Sequence, residues 1–313
     1  MALGYACINM QLSYPQQYGG KEKGVKRITT GRSMIKRTFE SKGTDYASEI
    51  ILKNVRDLDR IIDWNIEKGY ELFRISSSMI PWKSEYKWGQ LKDLEEIKRW
   101  LHSGGTKANT HGLRLTTHPG QFNVLTSPHE HVVENCVTDL TIHGEVFDMM
   151  GLSRTPYNKI NIHVGGVYGD KQSALDRFCK NFERLPDSVK TRLTVENDDK
   201  ATCYSVEDLY NGVYRRIGLP IVFDYHHHRF CPGDLTEQAA VELAASTWPE
   251  GIKPCFHYSE SRSEEKGDPK IKPQAHSDYV YQYIDTYGYD VDIVVEAKHK
   301  ELAVEKYYQL HGR

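Results

Sequence analysis

No stretch of this 313-residue chain reaches eighteen consecutive apolar residues, so no membrane-spanning helix is expected. The opening MALGYACINM has no basic segment ahead of an apolar core, so no secretory leader is expected either. Cysteine is sparse and scattered. Cys7, Cys136, Cys179, Cys203, Cys231 and Cys255 form no CxxC pair, which speaks against a zinc ribbon or a thioredoxin-type motif. A chain of this size does not need disulfides to hold a core. A reducing, intracellular setting is expected, cytoplasm or nucleoid, with a viral source left open. The GxGxxG fingerprint is absent and Gly165-Gly166 is no substitute, so no nucleotide cofactor is expected. An excess of one charge is also missing: the formal net charge of −2 neither points to nucleic acid nor excludes it. No Pro/Gly/Ser-rich linker or low-complexity segment divides the chain, so one domain over residues 1–313 is expected.

Local charge says more than net charge. Between Lys21 and Arg37 stand Lys21, Lys23, Lys26, Arg27, Arg32, Lys36 and Arg37, against one acid, Glu22. Such a run is able to track phosphates, although many short basic runs are only solvated loops. It lies in a stretch rich in Gly, Tyr and basic residues, about 10–44, that reads as a long irregular loop. Long loops in compact domains are mostly functional or disordered.

Around that loop the hydrophobic pattern alternates. Leu3–Ile8 reads as a strand, and Ser48–Glu67 as a helix with Ile51, Val55, Leu58, Ile62 and Ile66 on one stripe. Further strands read at Tyr70–Ile75, Gly112–Thr116, Lys159–Ile162, Arg192–Val195, Pro220–Phe223, Ile252–Phe256 and Val291–Val295. Further helices read at Leu91–Leu101, His131–Met150, Ser173–Leu185, Val206–Ile217, Thr236–Thr247, Ser277–Tyr287 and Glu301–Leu310. Eight strands alternating with eight helices predict an α/β fold of parallel strands with right-handed crossovers, closed as a (β/α)8 TIM barrel.

The strand ends carry a second pattern. His118, His163, Glu196, Asp224, His257 and Glu296 each follow a short β-type run, and His276 falls in the segment after His257. The C-terminal strand ends of a parallel barrel converge on one mouth, where active sites are built. Imidazoles mixed with carboxylates suit divalent metals, Mn or Zn better than Mg. Any one of these residues alone reads as an ordinary hydrogen-bonded rim residue. An acid or imidazole at the same height on successive strands reads as a metal site. In VFDYHHHRF, Asp224 and His227 are read into that site as a D-x-x-H pair. His226 and His228 are read as bystanders, because alternate residues of an extended segment face opposite ways. Asp198 and Asp199, following Glu196, read as loop residues.

The ordered motifs resemble the UV damage endonuclease family, a branch of the barrel superfamily that includes endonuclease IV and xylose isomerase-like proteins. They are LGYxxxN at Leu3–Asn9, FRISSS at Phe73–Ser78, HPGQ at His118–Gln121, HVGG at His163–Gly166 and LTVEND at Leu193–Asp198. D-x-x-H at Asp224–His227, H-x-S at His257–Ser259, AHSDY at Ala275–Tyr279 and E-x-K at Glu296–Lys298 continue the series. The resemblance implies a metal-dependent nuclease that starts excision repair. Such an enzyme nicks duplex DNA immediately 5′ to ultraviolet photoproducts, cyclobutane dimers and 6-4 photoproducts, leaving a 3′-hydroxyl and a 5′-phosphate. Two or three divalent ions are implied, manganese by family precedent, with zinc or magnesium open. Glu196, Asp224, His257 and Glu296 would hold a buried ion, and Glu196 would bridge it to a second on His118 and His163. A third would sit on His227 and His276. Catalytic roles would fall to Glu196, His257, Glu296 and Lys298. Tyr5 and Asn9 would touch the extruded lesion or its backbone, and Gln121 and Phe122 would insert into the duplex as a wedge. Lys26, Arg27, Arg32, Lys36 and Arg37 would follow the phosphates. The partner is damaged double-stranded DNA, met by a monomer.

Three positions depart from the family pattern. Phe122 stands where a Tyr is usual, which keeps stacking and loses a hydroxyl. Cys255 stands where a Lys often precedes the seventh-strand His by two residues. Glu85 aligns near the slot of a His after the serine-rich motif, which makes it a candidate metal ligand. Two other readings use the same residue types: an abasic-site endonuclease of the endonuclease IV type and a metal-dependent sugar isomerase. The basic loop and the HPGQF wedge favour DNA over a free sugar.

Overall fold

The computed structural model describes residues 1–18 and 26–313. It contains eight parallel strands: β1 Leu3–Ala6, β2 Leu72–Ile75, β3 Arg114–Thr117, β4 Ile160–His163, β5 Leu193–Glu196, β6 Ile221–Val222, β7 Cys255–Tyr258 and β8 Asp292–Val295. Their order in the sheet is β6-β5-β4-β3-β2-β1-β8-β7. The two outer strands meet through a parallel bridge between Asp224 and His257, where the His257 N–H donates to the Phe223 carbonyl at 2.9 Å. The result is the (β/α)8 TIM barrel that the alternation predicts. Every residue of β1, β3, β5, β7 and β8 is buried, as befits strands covered by helices outside and packed side chains inside. At Gly4 a Cβ would lie 2.3 Å from the Leu72 carbonyl oxygen, so only glycine lets β1 approach β2 this closely.

The helices that pack outside are α1 Lys36–Glu67, α2 Leu94–Thr110, α3 Glu130–Met149, α4 Lys171–Phe182, α5 Glu237–Ser246 and α6 Glu301–His311. Each presents a buried stripe; in α2 it is Ile97, Leu101, Gly104, Gly105 and Ala108. After β5 the chain passes through Val206–Leu209, a π turn at Tyr210–Tyr214 and Arg215–Ile217. Among the described residues no helix is long and apolar enough to cross a membrane. All six cysteines are free, and Cys255 is fully buried, out of reach of oxidants in solvent.

Two segments differ from the sequence expectation. The stretch 10–44 is not one irregular loop. Met10–Ser13 and Pro15–Tyr18 form single helical turns, and α1 begins at Lys36. The first turn is held from both sides: Asn9 accepts from the Leu12 N–H at 2.9 Å, and the Glu301 carboxylate accepts from Met10 and Gln11 at 2.8 and 2.7 Å. The Glu301 contact is long-range and leaves no local signature. The first turns of α1 lack a repeating apolar stripe, but Phe39 anchors them by stacking on Trp82 at 5.9 Å. Gly43, with φ of 66°, kinks the helix there. Lys21 and Lys23 lie outside the described residues.

The helix expected at Ser277–Tyr287 does not form. Val280 and Ile284 are buried four residues apart, which imitates a helical stripe. The backbone donors of this segment bond instead to carboxylates. Glu265 accepts from Asp278 and Tyr279 at 2.8 and 3.1 Å, and Glu260 accepts from Tyr281 and Gln282, both at 2.8 Å. The one nearby helix is the short Arg262–Lys266.

Candidate metal centre

Inside the barrel, polar residues occupy every second position of several strands. Arg114, Thr116 and His118 climb along β3, Lys159, Asn161 and His163 along β4, and Thr194 and Glu196 along β5. Asp292 opens β8 and Glu296 directly follows it. Side chains at i and i+2 share a face of a strand, so these columns run from the floor of the barrel to its mouth.

At the mouth everything turns on Glu196, which is 1% exposed. Its Oε2 lies 3.1 Å from His118 Nε2 and 3.2 Å from His257 Nδ1, and its Oε1 lies 3.3 Å from His227 Nδ1. Two sets of potential ligands result, His118–Glu196–His257 and His163–Glu196–His227, each with donor atoms within 4.8 Å of one another. Glu196 belongs to both, as a bridging carboxylate would. Glu296 Oε1 is 3.2 Å from His257 Nδ1, and Asp224 Oδ2 is 3.8 Å from His227 Nδ1. The expected residues therefore converge, but they divide differently. His118 groups with His257 and His227 with His163. His276 stays at the edge, 3.6 Å from Glu296, its ring 6.5 Å from that of His227.

Electrostatics follow from burial against proximity. Burial alone would raise the Glu196 carboxyl, but the imidazoles of His257 and His163 outweigh it and hold the group well below the usual carboxylate range. Burial pushes His257 down to about 3 and lowers His118. Burial would also lower His163 and His227, yet Glu196 with Asp198, and Asp224 with Glu196, raise them. Burial, reinforced by Glu196 and Glu296, lifts Asp224 to about 7. Negative charge packed this densely calls for cations, and protons on imidazoles answer that need only in part. His163 Nδ1, His257 Nδ1 and Asp224 Oδ2 are buried without a hydrogen-bond partner among the described residues. Buried polar atoms are normally paired; His257 Nδ1 and Asp224 Oδ2, in a cluster of N and O donors, fit divalent ions, while His163 Nδ1 faces the Asp198 carboxylate at 3.2 Å.

Several residues that support the site carry no signal as strand-end acids or imidazoles. Arg74, inside the FRISSS motif, pairs with Glu296. Asn161 donates to Glu196 Oε2 and is itself held by Thr194 Oγ1 at 2.8 Å. Asn197 locks β5 to Asp224 through bonds of 2.8 and 3.0 Å. Lys159 is fully buried, and its Nζ lies 2.8 Å from His257 Nε2; burial pushes it down to about 8. The alternation in KINIH was the available clue to Lys159 and Asn161.

Other expected residues lie elsewhere. Glu85 is exposed on the short turn Lys83–Glu85 and belongs to neither ligand set. It lines a separate cavity with Phe122, Asp139 and His143. Tyr5 and Asn9 are both 0% exposed, and Asn9 Nδ2 donates to the Tyr5 hydroxyl at 2.8 Å, so neither faces a ligand. Lys298 is exposed. His226 and His228 are buried away from both sets, as bystanders. Arg32 is committed to Asp57 at 2.6 Å, whereas Lys26, Arg27, Lys36 and Arg37 are exposed. Gln121 is exposed and Phe122 is 82% exposed. Their turn is fixed from beneath by Asn123, which donates to Asp139 at 2.8 Å. A cavity of about 440 Å³ runs from Gln121 and Phe122 to His163, Asp198 and His227.

Comparison with known proteins agrees with this geometry. The chain matches the UV-endonuclease UvdE family over residues 1–312. It is 36% identical over 311 residues to the UV-damage endonuclease of Schizosaccharomyces pombe, covering 96% of this chain and 49% of that protein. It thus spans about half the length of that relative. It is 33% identical over 284 residues to the UV DNA damage endonuclease of Bacillus cereus, covering 86% of this chain and 84% of the other. The fold is similar to the crystal structure of SacUVDE, with a TM-score of 0.82, 28% identity and full coverage of both chains. A D-psicose 3-epimerase from Clostridium cellulolyticum aligns with a TM-score of 0.52 at 14% identity, covering 76% of this chain and 78% of the other, which is a likeness of fold alone.

Proposed function

The chain belongs to the UV-endonuclease UvdE family, and on that premise we propose that it is a metal-dependent endonuclease acting on UV-damaged double-stranded DNA. The bond cut is the phosphodiester immediately 5′ to the photoproduct, leaving a 3′-hydroxyl and a 5′-phosphate. The observation that carries this reading is Glu196, shared by two sets of imidazoles at the barrel mouth.

His118, His257 and Glu196 would hold one ion, with Glu296 beside them, and His163, His227 and Glu196 a second, with Asp224 beside them; His276 stands at the edge next to Glu296. Divalent ions bound there acidify water and neutralise charge on a phosphate. The residues of the chain do the rest. Asn161 and Thr194 fix the plane of Glu196, and Asn197 fixes the height of Asp224. Arg74 keeps Glu296 ionised against the cost of burial. Gln121 and Phe122 stand clear of the surface, where insertion between bases would offset unstacking, which costs least at a damaged step. Lys26, Arg27, Lys36 and Arg37 would follow the backbone of the duplex. Tyr5 and Asn9 are left out of this surface.

The test is nicking of a duplex with one cyclobutane dimer, in Mn²⁺, Zn²⁺ and Mg²⁺ separately. A single cut 5′ to the dimer, strongest in Mn²⁺ and abolished by chelator, is expected. Cleavage confined to an abasic site would replace the reading with the endonuclease IV type. Ketose–aldose conversion without nicking would replace it with an isomerase.

A further inference from the structure

We propose that Asp198 is a positioning residue of the metal centre that acts through His163; the inference rests on the metal-dependent reading above. Asp198 follows Glu196 by two residues and looks, in the sequence, like part of a loop. Its Oδ1 lies 3.2 Å from His163 Nδ1. It does not belong to the His163–Glu196–His227 set, whose donor atoms are within 4.8 Å of one another. The carboxylate therefore lies outside that cluster, on the Nδ1 side of the His163 ring.

An imidazole that gives one nitrogen to a cation keeps its proton on the other, and that N–H requires an acceptor. His118 already has this arrangement. Its Nδ1 is 3.1 Å from the Pro119 carbonyl while its Nε2 faces Glu196 at 3.1 Å. Asp198 offers His163 the same support in charged form, which makes the stronger hydrogen bond. In the described arrangement the contact has hydrogen-bond length without alignment. The ring has still to settle on its acceptor when Nε2 takes a ligand.

Asp198 is itself well anchored. Its backbone N–H donates to the Tyr204 carbonyl at 3.0 Å, and its Oδ2 accepts from the Tyr204 N–H at 3.4 Å. Tyr204 is fully buried, and its hydroxyl donates to the Gly166 carbonyl, just beyond His163, at 3.4 Å. One carboxylate oxygen is thus tied to a buried residue and the other is left for the imidazole. The neighbouring backbone is equally constrained: Gly165 has φ of +110°, and a Cβ there would sit 2.6 Å from Val124 Cγ1. Ring and acceptor are both mounted on segments with little room to drift.

Two measurements on the full chain test this. In protein labelled with ¹⁵N-histidine and loaded with Zn²⁺, the imidazole shifts of His163 should place its proton on Nδ1. Titration with Mn²⁺ against a competing chelator should show one ion bound about 10–100-fold more weakly in Asp198→Asn and Asp198→Ala, the other unchanged. The Asn variant keeps an acceptor for the Tyr204 N–H, so it separates the lost charge from a loosened loop. A proton on Nε2 in the wild type, or wild-type affinity for both ions in both variants, overturns the inference. A wild type that binds no divalent ion at all overturns the metal-dependent reading itself, before any variant is made.

Discussion

At the floor of the barrel Arg114 is 1% exposed, and all three of its nitrogens are bonded. Nε donates to the Tyr157 carbonyl, Nη1 to Lys253 and Asp292, and Nη2 to Pro156, at 2.7 to 3.2 Å. At the mouth, one strand-length away, His163, His257 and Asp224 bury polar atoms that find no partner among the described residues. The two ends draw on the same columns: Arg114 opens β3 and His118 follows it, and Asp292 opens β8 and Glu296 follows it. The difference is whether the protein alone completes the polar network. The floor is closed by its own carbonyls and one carboxylate, which is how a buried charge becomes structural. The mouth has an excess of acceptors and imidazoles that only added cations would complete, which is how buried polarity becomes a site.

Breaking each end should therefore give opposite signatures. Glu196→Gln should lower nicking by on the order of 10²–10³-fold, the contribution of a single electrostatic group at a reacting centre. It should change the stability of the metal-free protein far less than it changes nicking, and in the destabilising direction, because the imidazoles of His257 and His163 hold this carboxylate ionised well below its usual range in the fold. Nicking rates in Mn²⁺ and urea midpoints in chelator check both halves. Arg114→Ala should do the reverse, costing about 3 kcal/mol or more of stability by leaving the carbonyls of Tyr157, Lys253 and Pro156 without their donor, at about 1–3 kcal/mol each, while Asp292 keeps Lys253 at 3.0 Å. The molecules that remain folded should bind metal normally. If Arg114→Ala emptied the metal site, the two ends would not be separable.

Much of this contrast can be read in the sequence, and what escapes has a physical reason. Strand ends are legible because hydrophobic runs stop there and an ionisable residue follows, as in LTVE and VVE. The columns beneath are equally legible in RLTTH and KINIH, provided polar residues inside a strand are treated as inward-facing and not as noise. Pairings across the barrel are not legible. Lys159 meets His257 from a strand three places away in the chain's count, and Arg74 meets Glu296 across 222 residues. Segment 277–287 misleads for a related reason: the carboxylates of Glu260 and Glu265 bond its backbone from a distance, and Val280 and Ile284 then only look helical. Tyr5 and Asn9 carry a family motif, but their burial was decided by packing that no motif records.

A milder probe leaves both networks intact and tests what stands above them. Phe122→Ala should reduce cleavage at a dimer by roughly tenfold, since base–aromatic stacking contributes about 1–3 kcal/mol. Metal content and thermal stability should be unchanged, because the ring is 82% exposed and its turn is held by Asn123. Loss of metal on this substitution would mean that the turn belongs to the centre and not to a DNA-facing surface.

The smallest expected effect concerns Glu301, which falls between the two kinds of network. It is fully buried and has donors, the N–H groups of Met10 and Gln11, but among the described residues no cation pairs with it as Arg114 does with Asp292. Burial therefore lifts its carboxyl to about 7, against the pull of those N–H bonds. The sign of the linkage follows: the folded chain holds this proton more tightly than the unfolded chain. The contribution to stability is fully present below the ordinary glutamate range and is lost as pH rises through about 7. Urea midpoints of the wild type and Glu301→Gln, compared at pH 5.5 and pH 8 in chelator, isolate the effect. The gap between the two proteins should shift in favour of the variant as pH rises, because an amide pays no charging cost at either pH. A gap that does not change with pH would mean that the helical turn at Met10–Ser13 supplies enough N–H donation to make Glu301 as self-sufficient as the floor.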